Sequence, residues 1–241
     1  MSDNTRKENI ELTPRLKLLA DRVPQDSKFA DIGTDHGHLP LYLLREQRIG
    51  QAIATDIRSG PLEHARANAT FHGYTDQIRF VLAGGLEGVR PEDCDTIAIA
   101  GMGGETISEI LQAAPWTRDG EHLLLLQPMT SVYELRQWLW ANKYQIVEEA
   151  VCAEGKRHYV VLSVRGASIG SAVRKPLSEC CFSDALLQAE GAVVYLQHLL
   201  LREQRAYDGM CAGQTTDEII REEQRKMVHN LQNALEDLKC R

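Results

Sequence analysis

FADIGTDHGHLP, residues 29–40, passes from a strand through a glycine-bearing loop into a helix. Phe29, Ala30 and Ile32 surround Asp31 as in a short buried strand, and Leu39, Tyr42, Leu43 and Leu44 give the next segment a helical apolar face. Strand, glycine loop and helix start together form the nucleotide-binding turn of a βαβ unit. Glycine lets the backbone approach a ligand, and a helix start offers unpaired N–H groups. The spacing is not that of a dinucleotide loop. Gly33 and Gly37 are present, but Asp35 stands where G-x-G-x-x-G needs its middle glycine, and Asp31 closes the strand. No G-K-[ST] follows, which excludes a Walker loop. Two carboxylates would repel a pyrophosphate and attract a cationic ligand. That disfavours NAD and ATP and favours S-adenosylmethionine, which carries an ammonium and a sulfonium. The plainer alternative is a tight connection in which Asp35 caps the helix.

Working outward, residues 51–57 (QAIATDI) read as a second strand ending in Asp56, 25 positions after Asp31. An acid there can accept from ribose hydroxyls. Gly60-Pro61 opens a helix running to about His72, and residues 78–82 (IRFVL) form a third strand. The loop Ala83-Gly84-Gly85-Leu86 then falls where an adenine ring would lie. Residues 94–100 (CDTIAIA) are almost entirely apolar, as a central parallel strand should be. Gly101-Met102-Gly103-Gly104 follows, a second place of close backbone approach on the same sheet edge. Residues 121–127 give a fifth strand ending at Gln127-Pro128, and 131–142 an amphipathic helix. Residues 145–153 and 158–164 flank Gly155, so these last two strands must be antiparallel. Seven strands, helices between the first six and an antiparallel close predict an α/β fold: a Rossmann-like class I methyltransferase with a seven-stranded, mostly parallel sheet.

The two ends carry additions. Residues 1–11 read as a loosely held start, and Thr13-Pro14 begins a helix with Leu16, Leu18, Leu19 and Val23 on its apolar side. Arg6, Lys7, Arg15, Lys17, Arg22 and Lys28 make this end basic, either as a solvated face or as the edge of a phosphate-backbone footprint. Residues 166–176 read as a linker. Beyond it, helices are expected over 183–207 and from the capping box Thr215-x-x-Glu218 onward, joined by a turn at 208–214. The second carries the stripe Ile220, Met227, Leu231, Ala234, Leu235 and Leu238. The expected organisation is a methyltransferase domain over 1–166 and a C-terminal α-helical hairpin over 177–241.

A net charge of −7 counts against a nucleic-acid partner without excluding one, because local patches decide. No apolar run reaches the length of a membrane span, and the start is polar, so a cytoplasmic protein is expected. Six cysteines without a C-x-x-C fit reduced thiols. Asp35, His36 and His38 could be read as metal ligands, but the chemistry inferred here needs no metal.

DIGTDHGHLP, AGMGG and QP…LRQWLWANKY together resemble the TrmK family of bacterial tRNA (adenine-N1)-methyltransferases, which modify adenine 22. The resemblance covers about residues 12–165 and continues through the two-helix tail. The family's first motif is similar to DIGSDHAYLP, and Asp31, Ile32, Gly33, Asp35, His36, Leu39 and Pro40 agree with it. The resemblance implies a tRNA partner. Asp31, Gly33, Asp35 and His36 would line the cofactor's methionine end, Asp56 its ribose, and Gly101 to Gly104 would border the site of methyl transfer. Gly37 and His38 stand where the family often has Ala-Tyr. Gly84 stands where the family usually has an acid or amide, which leaves the backbone of 83–86, including Gly85, to hold the cofactor's adenine. Adenine N1 has its own lone pair and needs no strong base, only release from pairing. Asp31 and Asp35 are candidates to offset the charge of the product, with His36 beside them. His38, Met102, Gly103 and Gly104 are expected on the substrate side. His36, His38, Tyr42 and Trp116 are candidates for stacking on the base. Negative net charge keeps a second class open, a methyltransferase acting on a small molecule or protein. Oligomeric state is not legible.

Overall fold

The computed structural model describes residues 10–167, 172–213 and 217–240. Near-continuous apolar runs, buried on both faces, build the central strands of the sheet. The strands are β1 (Phe29–Ile32), β2 (Ala52–Asp56), β3 (Ile78–Leu82), β4 (Thr96–Gly103), β5 (Leu123–Thr130), β6 (Tyr144–Glu154) and β7 (Arg157–Gly166). Their order across the sheet is β3-β2-β1-β4-β5-β7-β6, with β7 alone running against its neighbours. Strand order reverses between β1 and β4, whose register pairs Asp31 with Ala98. The carboxyl ends beside such a switch point are where open α/β sheets bind ligands.

Residues two apart share a sheet face, so each strand feeds two cores. Ala30, Ile32, Ile97, Ile99, Leu124 and Leu126 pack on one side. Phe29, Ala54, Ala98 and Leu125 pack on the other. The second side is covered by α1 (Pro14–Ala20), α2 (His38–Arg45) and α3 (Ser59–His72), through residues such as Leu19, Leu43 and Ala69. The first is covered by α4 (Gly104–Ala113) and α5 (Val132–Ala141), through Ile107, Leu111, Leu135 and Leu139. Three further helices follow, α6 (Asp184–Leu187), α7 (Ala192–Ala212) and α8 (Glu218–Lys239). Tyr195, Leu196 and Leu199 of α7 and Met227 and Leu231 of α8 join the same core as α4 and α5. The hairpin therefore lies on the sheet's α4–α5 side.

The fold matches the expectation in its seven strands and antiparallel close. It differs in detail. β4 begins at Thr96 rather than Cys94 and does not stop at Ala100: it runs through Gly103, with register shifts around Met102. The expected helix over 183–207 is broken at Gly191, which adopts φ +80° and starts α7. α6 is capped by Ser183, whose Oγ accepts from the Leu186 amide. The expected turn at 208–214 is instead helical as far as Ala212. Thr215 lies outside the described residues, and α8 is capped by Asp217, which accepts from the Ile219 amide at 2.8 Å. Ile220 is exposed, so the buried stripe of α8 begins at Met227.

One link between the two parts was not foreseen. Arg136 of α5 is fully buried and donates to Glu149 of β6 at 3.0 and 2.7 Å. It also donates to the carbonyls of Cys180 and Cys181, at 3.2 and 2.9 Å. Ser183 Oγ donates to Glu149 at 2.6 Å. The segment ahead of α6 is thereby fixed to α5 and β6. All six cysteines are free. Among the described residues, no helix is long and apolar enough to cross a membrane.

Candidate active site

A cavity of about 910 Å³ opens at the carboxyl ends of β1, β2 and β4. Three chain turns build it. The first follows β1, where Gly33, Asp35 and Gly37 all adopt positive φ (+74°, +53° and +72°). The amides of Gly33 and Thr34 donate to the Thr55 carbonyl at 2.9 and 2.8 Å, tying this turn to β2. Glycine meets two of the left-handed positions without strain, whereas Asp35 must hold one as a side-chain-bearing residue. Gly37 is the N-cap of α2 and no side chain caps that helix, so the plainer reading of Asp35 as a cap does not hold. The Asp35 carboxylate is 64% exposed and lies 3.8 Å from His36.

Asp31 is buried, 5% exposed, and accepts from Thr34 Oγ1 at 2.6 Å. Burial pushes its carboxyl up to about 6. The negative charge of Asp56 adds to this and the Thr34 hydrogen bond opposes it. Asp56 closes β2, is equally buried, and accepts from the Arg58 amide at 2.9 Å. Two buried carboxylates at the ends of adjacent strands make the cavity floor strongly attractive to a cation and to hydroxyl donors.

Imidazoles ring the turn after β1. His36 lies 5.7 Å from His38 and 5.3 Å from His64, between ring centroids. Burial lowers the His38 pKa, and the neighbouring His36 lowers it further. Asn68 Nδ2 holds the His36 carbonyl at 2.9 Å.

The second turn, after β3, is lined by Ala83, Gly84, Gly85, Leu86 and Glu87. Ile57, 74% exposed, flanks it from β2, and Ile110 of α4 flanks it from the other side. The result is a slot with apolar walls. A Cβ at Gly84 would lie 3.7 Å from Glu87 Oε2, so a carboxylate three residues further on reaches the position that Gly84 leaves empty. Local sequence comparison at Gly84 misses it, because the tight turn at Gly85 (φ +57°) folds Glu87 back.

The third turn is Gly101-Met102 of β4. Gly101 adopts φ +76° and its amide donates to Gln127 Oε1 at 3.2 Å. Gln127 is fully buried and donates in turn to the Pro128 carbonyl at 2.9 Å. Met102, Met129 and Arg15 complete this end of the cavity.

All eight residues expected on the cofactor side (Asp31, Gly33, Asp35, His36, Asp56, Gly84, Gly85 and Gly101) line this one cavity. On the substrate side, His38 and Met102 line it, whereas Gly103 and Gly104 do not. Gly104 is a packing glycine: a Cβ there would lie 2.3 Å from the Ser131 carbonyl oxygen. Tyr42 is also elsewhere, between Lys17 and Arg45 on the helical surface. Trp116 is at the cavity, edge-on to His122 at 4.8 Å. Thr34, Ile57, Glu87, Gln127 and Met129 were not read as site residues, and Arg15 was read only as one of six basic residues at the edge of a phosphate-backbone footprint. Only Gln127, in its Gln-Pro pair at a strand end, left a local signal. Among the described residues, no three His, Cys, Asp or Glu side chains are grouped to hold a metal ion.

Residues 12–162 match a family described as "Methyltransferase domain". The tRNA (adenine(22)-N(1))-methyltransferase of Bacillus subtilis (strain 168) is 34% identical over 153 residues, which is 64% of this chain and 64% of that protein. A solved protein of the NADB-Rossmann superfamily from Streptococcus agalactiae superposes with a TM-score of 0.82 at 28% identity, covering 95% of this chain and 100% of the other. M. capricolum TrmK, solved with S-adenosyl-homocysteine, superposes with a TM-score of 0.74 at 26% identity, covering 94% and 98%.

Proposed function

Because this chain belongs to the methyltransferase-domain family, we propose that it transfers a methyl group from S-adenosylmethionine to N1 of an adenine in tRNA, adenine 22 by its likeness to the B. subtilis enzyme. One observation carries the reading. Two buried carboxylates, Asp31 and Asp56, and three glycine turns converge on a single cavity with an apolar slot at one end. That is the complement of a nucleoside with a cationic tail. Asp31 would face the ammonium, with Gly33, Asp35 and His36 around it. Asp56 would accept from the ribose hydroxyls. Ile57, Gly84, Gly85 and Ile110 would enclose the adenine, with Glu87 accepting from its amine. The bound cofactor supplies an electrophilic methyl group on a sulfonium.

The chain's own task is then orientation. N1 of adenine is a nucleophile once unpaired, and holding it in line with the methyl group supplies much of the rate. Gly101, held by Gln127, and the side chains of Met102, Met129 and His38 form the wall on which the target base would rest. Asp31 and Asp35 would offset the positive charge of the methylated base, with His36 beside them, 3.8 Å from Asp35. The methyltransferase domain is assigned to residues 1–166 and the hairpin to 177–241, joined over about 166–176. The hairpin and α1 would meet the RNA by shape and backbone. The reading places the protein in the cytoplasm with its tRNA. The net charge of −7 is what favours a small-molecule or protein acceptor instead.

The test is nucleoside mass spectrometry on unmodified tRNA transcripts incubated with the protein and S-adenosylmethionine. The expected product is 1-methyladenosine, lost when adenine 22 is replaced by guanine. Cofactor binding with no methylated nucleoside would refute the tRNA reading.

A further inference from the structure

Arg15, the second residue of α1, reaches across the chain to the transfer end of the cavity. Its Nη1 lies 3.4 Å from Gln127 Oε1 and 3.5 Å from Met129 Sδ, and its Nε 3.6 Å from Glu154 Oε2. The guanidinium is 5.8 Å from the Tyr159 ring centroid. A Cβ at Gly101 would lie 3.7 Å from Nη1, so the charge stands directly over the left-handed turn of β4.

These contacts hold the group in place without saturating it. A guanidinium has five donors in a rigid fork, and a well-formed pair with a carboxylate closes to about 3 Å or less. Arg136 and Glu149 show that geometry in this same molecule, at 2.7 and 3.0 Å. Arg15 and Glu154 make a single long contact and are 28% and 27% exposed, so separating them costs little. Among the described residues, two guanidinium groups line the cavity, Arg58 at the Asp56 end and Arg15 at the transfer end. A nucleotide brings a phosphate wherever it brings a base. A base resting on Gly101 and Met129 would carry its flanking phosphate to the rim where Arg15 stands. Arginine stays protonated and forks onto phosphate oxygens, so it suits holding the strand rather than moving a proton.

We infer that Arg15 holds the phosphate flanking the target adenosine, exchanging Glu154 for it when the RNA docks. In the unliganded protein, Glu154 stands in for that phosphate. This rests on the tRNA reading above and adds to it the residue that seats the nucleotide.

The experiment compares wild type, Arg15→Ala, Arg15→Lys and Glu154→Gln on a tRNA transcript. Steady-state kinetics gives KM and kcat. Fluorescence anisotropy of labelled transcript with S-adenosylhomocysteine gives Kd over a range of salt, independently of turnover. Calorimetry gives cofactor affinity. Arg15→Ala should raise Kd and KM for the RNA roughly tenfold, the usual weight of a charge-assisted hydrogen bond, with cofactor affinity unchanged. It should also flatten the salt slope by about 1. Arg15→Lys should keep that slope and recover part of the affinity, and Glu154→Gln should tighten RNA binding. An unchanged Kd and salt slope in Arg15→Ala, or weaker binding in Glu154→Gln, would overturn the inference while leaving a methylating wild type intact. A wild type that binds RNA through Arg15 but methylates nothing would overturn the reaction and leave the inference. A wild type that neither binds nor methylates the transcript would overturn both.

Discussion

A methyl group added to Gly33 would lie 2.2 Å from Cε of Met102, so the turn after β1 is packed directly against the turn of β4. Two obstacles oppose a side chain at this glycine, and they differ in kind. The Met102 tip can rotate away, but φ +74° stays strained for any L-residue. Gly33→Ala should therefore lose roughly 1–2 kcal/mol of stability from backbone strain, together with cofactor affinity. Adding Met102→Ala should not restore stability in urea unfolding. Full recovery in the double variant would show that the contact, and not the backbone, sets the need for glycine.

Asp31 makes stability and binding run in opposite directions with pH. The folded protein keeps this proton up to about 6, whereas an ordinary aspartate loses it near 3.8. Stability from this group is thus highest below pH 4 and falls as pH rises through about 6. The loss is on the order of 3 kcal/mol once Asp31 is ionised. A cationic ligand needs the ionised form, so cofactor affinity should weaken as pH drops below about 6. Asp31→Asn should raise the melting temperature at pH 7.5 while binding cofactor poorly at every pH. If its melting temperature keeps the wild-type dependence between pH 4 and 7, another group is responsible.

Glu87 supplies the third expectation. Its carboxylate reaches the space beside Gly84 at the adenine end of the cavity. Glu87→Ala should weaken S-adenosylmethionine binding about threefold to tenfold, as loss of one hydrogen bond does, and leave RNA affinity unchanged. An S-adenosylmethionine analogue lacking the 6-amino group should bind wild type and variant alike. Unequal binding of that analogue would remove Glu87 from contact with the amine.

The buried Arg136–Glu149 pair gives a prediction away from the cavity. Arg136→Ala strands a buried carboxylate and should cost about 3–5 kcal/mol in denaturant unfolding. Replacing both partners, as Arg136→Met with Glu149→Leu, should recover much of that loss because no buried charge remains. A double variant no better than the single one would place the essential interaction at the carbonyls of Cys180 and Cys181 instead.

The chain sequence by itself determined the sheet and the side of it that carries the site. Apolar runs, glycine at strand ends and an aspartate near the end of each of β1 and β2 are local patterns. Each is confined to one strand and the turn that follows it, and so is set by backbone geometry. Eight expected cofactor residues met at one cavity for that reason. Tertiary structure decided what lies far apart in sequence. Gly104 and Gly101 look alike in Gly-Met-Gly-Gly, yet one packs under Ser131 and the other faces the cavity, a difference set by α5. Arg15 meets Gln127 across 112 positions, and Arg136 meets the hairpin's entry across 44. In sequence Arg136 is one more arginine on a helix, and Arg15 is one of six basic residues near the N-terminus. Only the packed sheet places one at the rim of the site and buries the other, because a side chain's charge acquires its role from what the fold brings within hydrogen-bonding distance.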